Sequence, residues 1–194
     1  MVELEKGTID KWGLEKTDTG VNDEYGNRIY NHSAQSTISE ALRKHLNVSK
    51  VCETGQICYD KPSYNLAGTK MRDAQMAGTG DSPADASFYL SDGTYINLGW
   101  YNTSEERIDV SVTLPKGGMV LGKTRFFFYI DKNGLLPEGS IKRINEWNNN
   151  CNPNTNGTSV TNGRGCTAWV IYNKNLDYLH CRNELSWNGK TKCD

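Results

Sequence analysis

The sequence predicts an α+β domain: N-terminal helical structure packed on a small antiparallel β-sheet, followed by a loop-rich, disulfide-tied C-terminal region. Three observations carry this expectation. Ile38, Ala41, Leu42 and Leu46 make one apolar stripe at helical spacing. After it come short apolar runs separated by turn residues, the pattern of hairpin-linked strands. The chain then carries an even set of cysteines, Cys52, Cys58, Cys151, Cys166, Cys181 and Cys193, most of them in a polar, Asn-rich final stretch.

In chain order, residues 1–20 read as the remnant of an N-terminal helix and its junction, with Gly7 ending the helix and Trp12 an anchoring aromatic. Residues 34–47 are expected to form the amphipathic helix, with Ser36 as N-cap and Ser39 and Glu40 in the first turn. His45 sits beside the stripe next to Lys44 and reads as a solvated or half-buried histidine rather than a ligand. Residues 60–85 are rich in Gly, Asp, Ser and Ala, with Met71 and Met76 isolated, and read as loop.

The β region opens with a hairpin in which Ser87-Phe88-Tyr89-Leu90 and Thr94-Tyr95-Ile96-Asn97-Leu98 flank a tight turn at Asp92-Gly93. Ile108, Val110, Val112 and Leu114 alternate with polar residues, a half-buried strand ended by Pro115. Residues 126–130, Phe-Phe-Phe-Tyr-Ile, are the most hydrophobic segment and predict a buried central strand. It should lead into a side-chain-pinned turn at Asp131, Asn133 and Gly134. There Asp131 can accept backbone N–H bonds, Gly134 can take positive φ, and Pro137 with Gly139 should stop the strand from resuming. Residues 148–157 should lack regular structure and be tethered by Cys151. Thr167 could cap a short helix with Ala168, Trp169, Tyr172 and Leu176 on one face.

A chain of 194 residues accommodates one domain, 1–194, in which 148–194 form the tied C-terminal region. Formal net charge of -1 without blocks of either sign argues against nucleic acid or an anionic membrane surface as the main partner. There is no C-x-x-C and no second His at ligand spacing, so disulfides in an oxidising compartment fit the cysteines better than zinc. Many connectivities are open. The expected one joins nearest neighbours, Cys52–Cys58, Cys151–Cys166 and Cys181–Cys193, each short loop contributing roughly 2–3 kcal/mol in the chain-entropy model. No export signal or apolar span is visible, so the expectation is that the natural N-terminus preceded Met1 and was removed.

Little points to catalysis. Only His32, His45 and His180 could serve as a base, and the cysteine next to His180 is better used in a disulfide. No phosphate-cradling Gly loop, G-x-S-x-G or H-E-x-x-H occurs, and no catalytic or cofactor-binding residue is expected. The loop at Asp131 begins like an oxygen-ligand loop but lacks the distal Glu of a calcium hand. Glu138 is the one acidic residue close behind, so a metal-free turn is favoured over structural calcium. The rival reading from another class is a secreted carbohydrate- or protein-binding module, since the chain carries 5 Trp and 10 Tyr. Against it, Trp12, Trp147, Trp169 and Trp187 can instead anchor the tied loops to the core. A hydrolase is the weakest alternative.

Several segments resemble bacterial type IV pilin-like and pseudopilin-like proteins. Glu5-x-Gly7 followed by Trp12 resembles the end of their N-terminal helix, and Leu42 to Lys50 with Cys52 and Cys58 resembles the segment after it. Leu90-x-Asp92-Gly93-Thr94 matches, as does Asp131-x-Asn133-Gly134, although the family's Gly before Pro137 and Asn after it are missing. The most specific likeness is C-terminal: Cys166-x-Ala168-Trp169-Val170, Asn175-x-Asp177-Tyr178-Leu179-x-Cys181 and Leu185-x-Trp187-x-Gly189-Lys190-x-x-Cys193. The matching segments run from about residue 4 to 193, with unmatched loops between them. The resemblance implies a structural subunit, the head of a surface filament or secretion pseudopilus. A missing apolar N-terminal helix would anchor it in the membrane before assembly and then contact other subunits. It also implies a periplasmic or cell-surface location, and no catalytic residues.

Overall fold

A computed structural model describes residues 18–22, 28–30, 33–52, 58–59, 61–71, 86–102, 107–131, 134–155 and 159–194. The strands are β1 (Asp18–Asn22), β2 (Arg28–Tyr30), β3 (Val48–Cys52), β4 (Ser63–Tyr64), β5 (Ala86–Leu90), β6 (Tyr95–Asn102), β7 (Arg107–Thr113), β8 (Met119–Val120), β9 (Arg125–Asp131) and β10 (Gly134–Pro137). The helices are α1 (Ser33–Arg43), α2 (Ile144–Asn150), α3 (Thr167–Asn173) and α4 (Tyr178–Cys181). Six strands form one sheet in the order β10-β9-β7-β6-β5-β3, every neighbouring pair antiparallel. Two small pairs stand apart, β1 with β2 antiparallel and β4 with β8 parallel.

The alternation of side chains along each strand divides the sheet into two chemically different faces. On the first, Phe88 stands opposite Ile96, Leu98 opposite Val110, and Ile108 opposite Ile130. These close around Ile38 of α1, with Ala41, Leu42 and Leu46 packed at the margin, so the helical stripe meets the sheet it was patterned for. On the second face, Asn97, Ser111 and Phe127 line up in one register row, and Asp109 and Tyr129 in the next. The C-terminal region covers that face. Thr167 begins α3 and accepts the Phe127 backbone N–H at 2.8 Å, while the Ala168 N–H donates to the Glu138 carbonyl at 2.8 Å.

This region has its own small core of Trp147, Trp169, Tyr178, Leu185 and Leu66 around the Cys151–Cys166 disulfide. Trp147 and Trp169 stack with ring centroids 4.4 Å apart, and Trp187 meets both rings edge-on. The Tyr178 hydroxyl donates to the Gly122 carbonyl, fastening the region to the loop after β8. Gly139 and Gly165 pass so closely that a Cβ at Gly139 would collide with the Gly165 carbonyl, and Gly139 holds φ 82°.

Several expectations are corrected. The chain after β9 does resume as a strand: Gly134–Pro137 folds back on β9, with Pro137 in the edge strand, where a missing N–H is tolerated. α1 starts three residues before Ser36, which therefore lies inside the helix, and ends at Arg43, ahead of a turn at 44–46. The stretch read as loop at 60–85 contains β4 and buried Asn65, Leu66 and Met71, pinned to β8 through Leu121 N–H to the Tyr64 carbonyl. Residues 18–20, read as part of a helical remnant, belong to β1. Asn148–Asn150 are the last turn of α2, because Trp147 buries the face that the asparagines leave free. In α3 the cap position falls to Cys166, Tyr172 is 59 % exposed, and Leu176 lies beyond the helix. Leu114 lies past the end of β7 and is exposed, while Ser111 and Thr113 are buried, so β7 is covered on both faces. Trp12, His32, Met76 and Asn133 lie outside the described residues.

Candidate functional site

The second face carries a buried charge network that β7, the turn after β10, α2 and the 3-10 turn Arg164–Cys166 build together. Arg107 and Asp109 share one face of β7 because they are two residues apart. Glu138 directly follows β10, and its side chain reaches Arg164, with bonds at 2.6 and 3.1 Å to its two carboxylate oxygens. Arg164 also donates to Asp109, so one guanidinium bridges two carboxylates. Glu146 of α2 accepts from Arg143 at 2.5 Å and from the Gly139 backbone N–H at 2.9 Å, with Arg107 at 3.9 Å. Aromatic rings line this layer: Arg164 lies over Phe127, and Arg107 and Arg143 flank Tyr129.

Burial sets the proton chemistry here. Loss of solvent pushes the Glu138 carboxyl up; the Arg164 cation opposes this and the neighbouring Asp109 adds to it. For Arg164 burial works against its charge, but Glu138 and then Asp109 outweigh it and hold the guanidinium above its usual range. Burial likewise raises the Tyr129 phenol, with Arg143 pulling it back. Each charged member of the Glu138–Arg164–Asp109 group has a partner, which is what a structural ion network requires.

Beside this network lies an apolar cavity of about 400 Å³ lined by Tyr129, Leu136, Pro137, Ser140, Ile141, Tyr172 and Trp187. Three elements meet there: the β10 edge, the turn after it, and the tied tail. Its rim exposes Ile141 and Tyr172, with Leu135 exposed on the same edge strand. Among the described residues no charged side chain lines it, so what it can do chemically is hold an apolar or ring-shaped group against aromatic walls.

The expected site residues fall as follows. The cysteines form three disulfides, Cys52–Cys58, Cys151–Cys166 and Cys181–Cys193, the nearest-neighbour set. They fit an oxidising, extracytoplasmic environment. Asp131 and Gly134 face each other as the last register pair of the β9–β10 hairpin, with Gly134 at φ 112°. Glu138, the acidic residue nearest that turn, is 4 % exposed and committed to Arg164, so it is not available to a cation held at Asp131. Among the described residues no group of three His, Cys, Asp or Glu side chains is arranged to hold a metal ion. His45 and His180 are exposed, and Cys181 beside the latter is disulfide-bonded.

Sequence reasoning missed Arg107, Asp109, Arg164 and Glu146, and the ring walls Tyr129 and Tyr172. The charges on β7 left a signal: Arg107 and Asp109 flank Ile108 in a period-two run, which places both on the face opposite the apolar one. Arg164 left none, since its partners are 55 and 26 residues away. No family model, curated protein or solved structure matches this chain.

Proposed function

We propose that this chain is the extracytoplasmic head of a pilin-like or pseudopilin-like structural subunit, from a surface filament or a type II secretion or type IV pilus-like system. The observation that carries the reading is what the C-terminal segments of the resemblance do. Trp169 stacks on Trp147, its indole N–H donates to Asn175 at 2.9 Å, and Asp177 accepts the Cys193 N–H at 2.8 Å. Tyr178 reaches Gly122, and Cys166, Cys181 and Cys193 are spent in disulfides. Each of these side chains has an architectural task. An α1 helix on an antiparallel sheet supports the same reading, as do disulfides suited to the cell surface or periplasm.

In this account the apolar N-terminal helix implied by the resemblance anchors the subunit in the membrane and then packs against other subunits. Among the described residues no helix is long and apolar enough to cross a membrane. The test is in the source cells. Antibody raised against this domain should decorate filaments or crosslink to an inner-membrane secretion assembly. Label confined to the soluble culture supernatant would contradict it.

The aromatic cavity favours one second reading, a secreted binding module for carbohydrate or protein. Binding to a glycan or peptide array that Tyr172→Ala abolishes, in a protein free of any assembly, would support that alternative.

A further inference from the structure

The cavity wall made by Trp187 belongs to a tail that hangs on one disulfide. Residues 185–194 are closed onto α4 by Cys181–Cys193, whose two cysteines are both partly exposed. Cys151 and Cys166, by contrast, are both 0 % exposed beneath the Trp147–Trp169 stack, and in the third disulfide Cys52 is 4 % exposed while Cys58 is partly exposed. Other bonds also hold the tail: Cys193 N–H to Asp177, Asn175 Nδ2 to the Thr191 carbonyl at 3.0 Å, Leu185 N–H to the Arg182 carbonyl, the exposed Lys190–Glu184 ion pair at 2.7 Å, and the buried Leu185. Trp187 itself is held at a cost, since its indole Nε1–H is buried and has no hydrogen-bond partner among the described residues. Released to water, that N–H regains one.

We propose that Cys181–Cys193 is a redox clasp on the aromatic cavity. When it is closed, Trp187 is pinned between Tyr172 and the Trp147–Trp169 stack; when it is opened, the tail swings away and uncovers the rings. The opening step is thiol–disulfide exchange with a dithiol reductant. A thiolate attacks one sulfur of the pair and forms a mixed disulfide, releasing the other cysteine as thiolate. The second thiol of the reductant then displaces the remaining cysteine and closes the reductant's own disulfide. Two electrons pass to Cys181 and Cys193, each of which takes up a proton. Accessibility favours this pair, because the in-line approach to sulfur needs exposed surface and here both cysteines offer it, against one in Cys52–Cys58 and none in Cys151–Cys166.

The experiment exposes the folded full chain to dithiothreitol without denaturant, quenches with an alkylating agent, and maps the labelled cysteines by mass while tryptophan emission is recorded. Cys181 and Cys193 should be labelled about tenfold or more faster than Cys151 and Cys166. Emission should move to longer wavelength in step with that labelling, with the far-ultraviolet dichroism unchanged. Trp187→Phe should shrink the emission change to the part that Trp147 and Trp169 contribute on being uncovered, and leave the labelling order intact. The double variant Cys181→Ser, Cys193→Ser should show the shifted emission with no reductant added. Labelling of all six cysteines at one rate, earliest labelling at Cys52 and Cys58, or fast labelling of Cys181 and Cys193 with emission unmoved would each overturn the proposal.

Discussion

The two faces of the main sheet are held by different physics. Toward α1, seven buried apolar residues including Ile38, Phe88 and Leu98 interlock, and burial itself supplies the cohesion. Toward the C-terminal region, the contact is made by stacked tryptophans, buried ion pairs and side-chain-to-backbone bonds, and the region is closed on itself by Cys151–Cys166 and Cys181–Cys193. Neither disulfide crosses to the sheet. A segment so poor in aliphatic residues cannot rely on a core of its own, so covalent staples limit its unfolded freedom while polar contacts fix where it docks. Specific polar docking with staples suits a surface that presents loops to a neighbour; apolar interlocking suits the scaffold beneath.

That contrast can be broken from either side. Phe88→Ala should cost about 4 kcal/mol by urea unfolding, and amide protection should fall across the main sheet, since the apolar face joins β3, β5, β6, β7 and β9 to α1. Arg164→Met should cost about 3 kcal/mol, because it leaves the buried Glu138 carboxylate without its cation and the partly exposed Asp109 with Arg107 alone. Its loss of protection should concentrate in 138–173. Equal loss in β5 and β6 would show the two faces to be one cooperative unit. Replacing Cys151 and Cys166 together by Ala should cost about 3 kcal/mol, as their separation of 15 residues implies. A cost under about 1 kcal/mol would mean that the stacked rings alone hold the region.

Tyr178→Phe sharpens the same contrast more gently, at about 1 kcal/mol for the lost bond to Gly122. It also has a pH signature. Burial raises the Tyr178 phenol above its ordinary value, so the folded state favours the neutral form. Its contribution is fully present below about pH 10 and is lost as pH rises beyond that. The Phe variant should therefore show a flatter alkaline limb in thermal unfolding. The smallest effect is expected at Asp92, whose carboxylate accepts the Thr94 N–H at 2.8 Å and is held below its ordinary range chiefly by that bond. Its stabilisation is present above the ordinary carboxylate value and is lost as pH falls through the lowered one. Asp92→Asn should weaken the acid dependence of the melting temperature without changing the alkaline limb.

The scaffold was legible where the information is local. The stripe at Ile38, Ala41, Leu42 and Leu46 packs where its spacing indicates, and Asp92-Gly93 turns the β5–β6 hairpin, with Gly93 at φ 86°. The third of the chain after Pro137 was far less legible. Its contacts join residues such as Arg164 and Asp109, or Tyr178 and Gly122, that are more than 50 positions apart, and no periodicity announces them. Pro137 misled for a related reason. Its effect on a strand depends on whether that strand lies at a sheet edge, which is a property of the whole topology. The cavity was invisible for the same cause, since Tyr129, Tyr172 and Trp187 meet only through the fold.

The central claim, a head domain that assembles through an apolar helix, is tested most directly by reading the native gene upstream of Met1. The account predicts a short basic leader followed by about 20 apolar residues with a glutamate near their start, continuous with this chain. A cleavable secretory signal with no retained apolar helix would contradict it, and would make the domain a free secreted protein whose aromatic cavity is the place to look for a ligand.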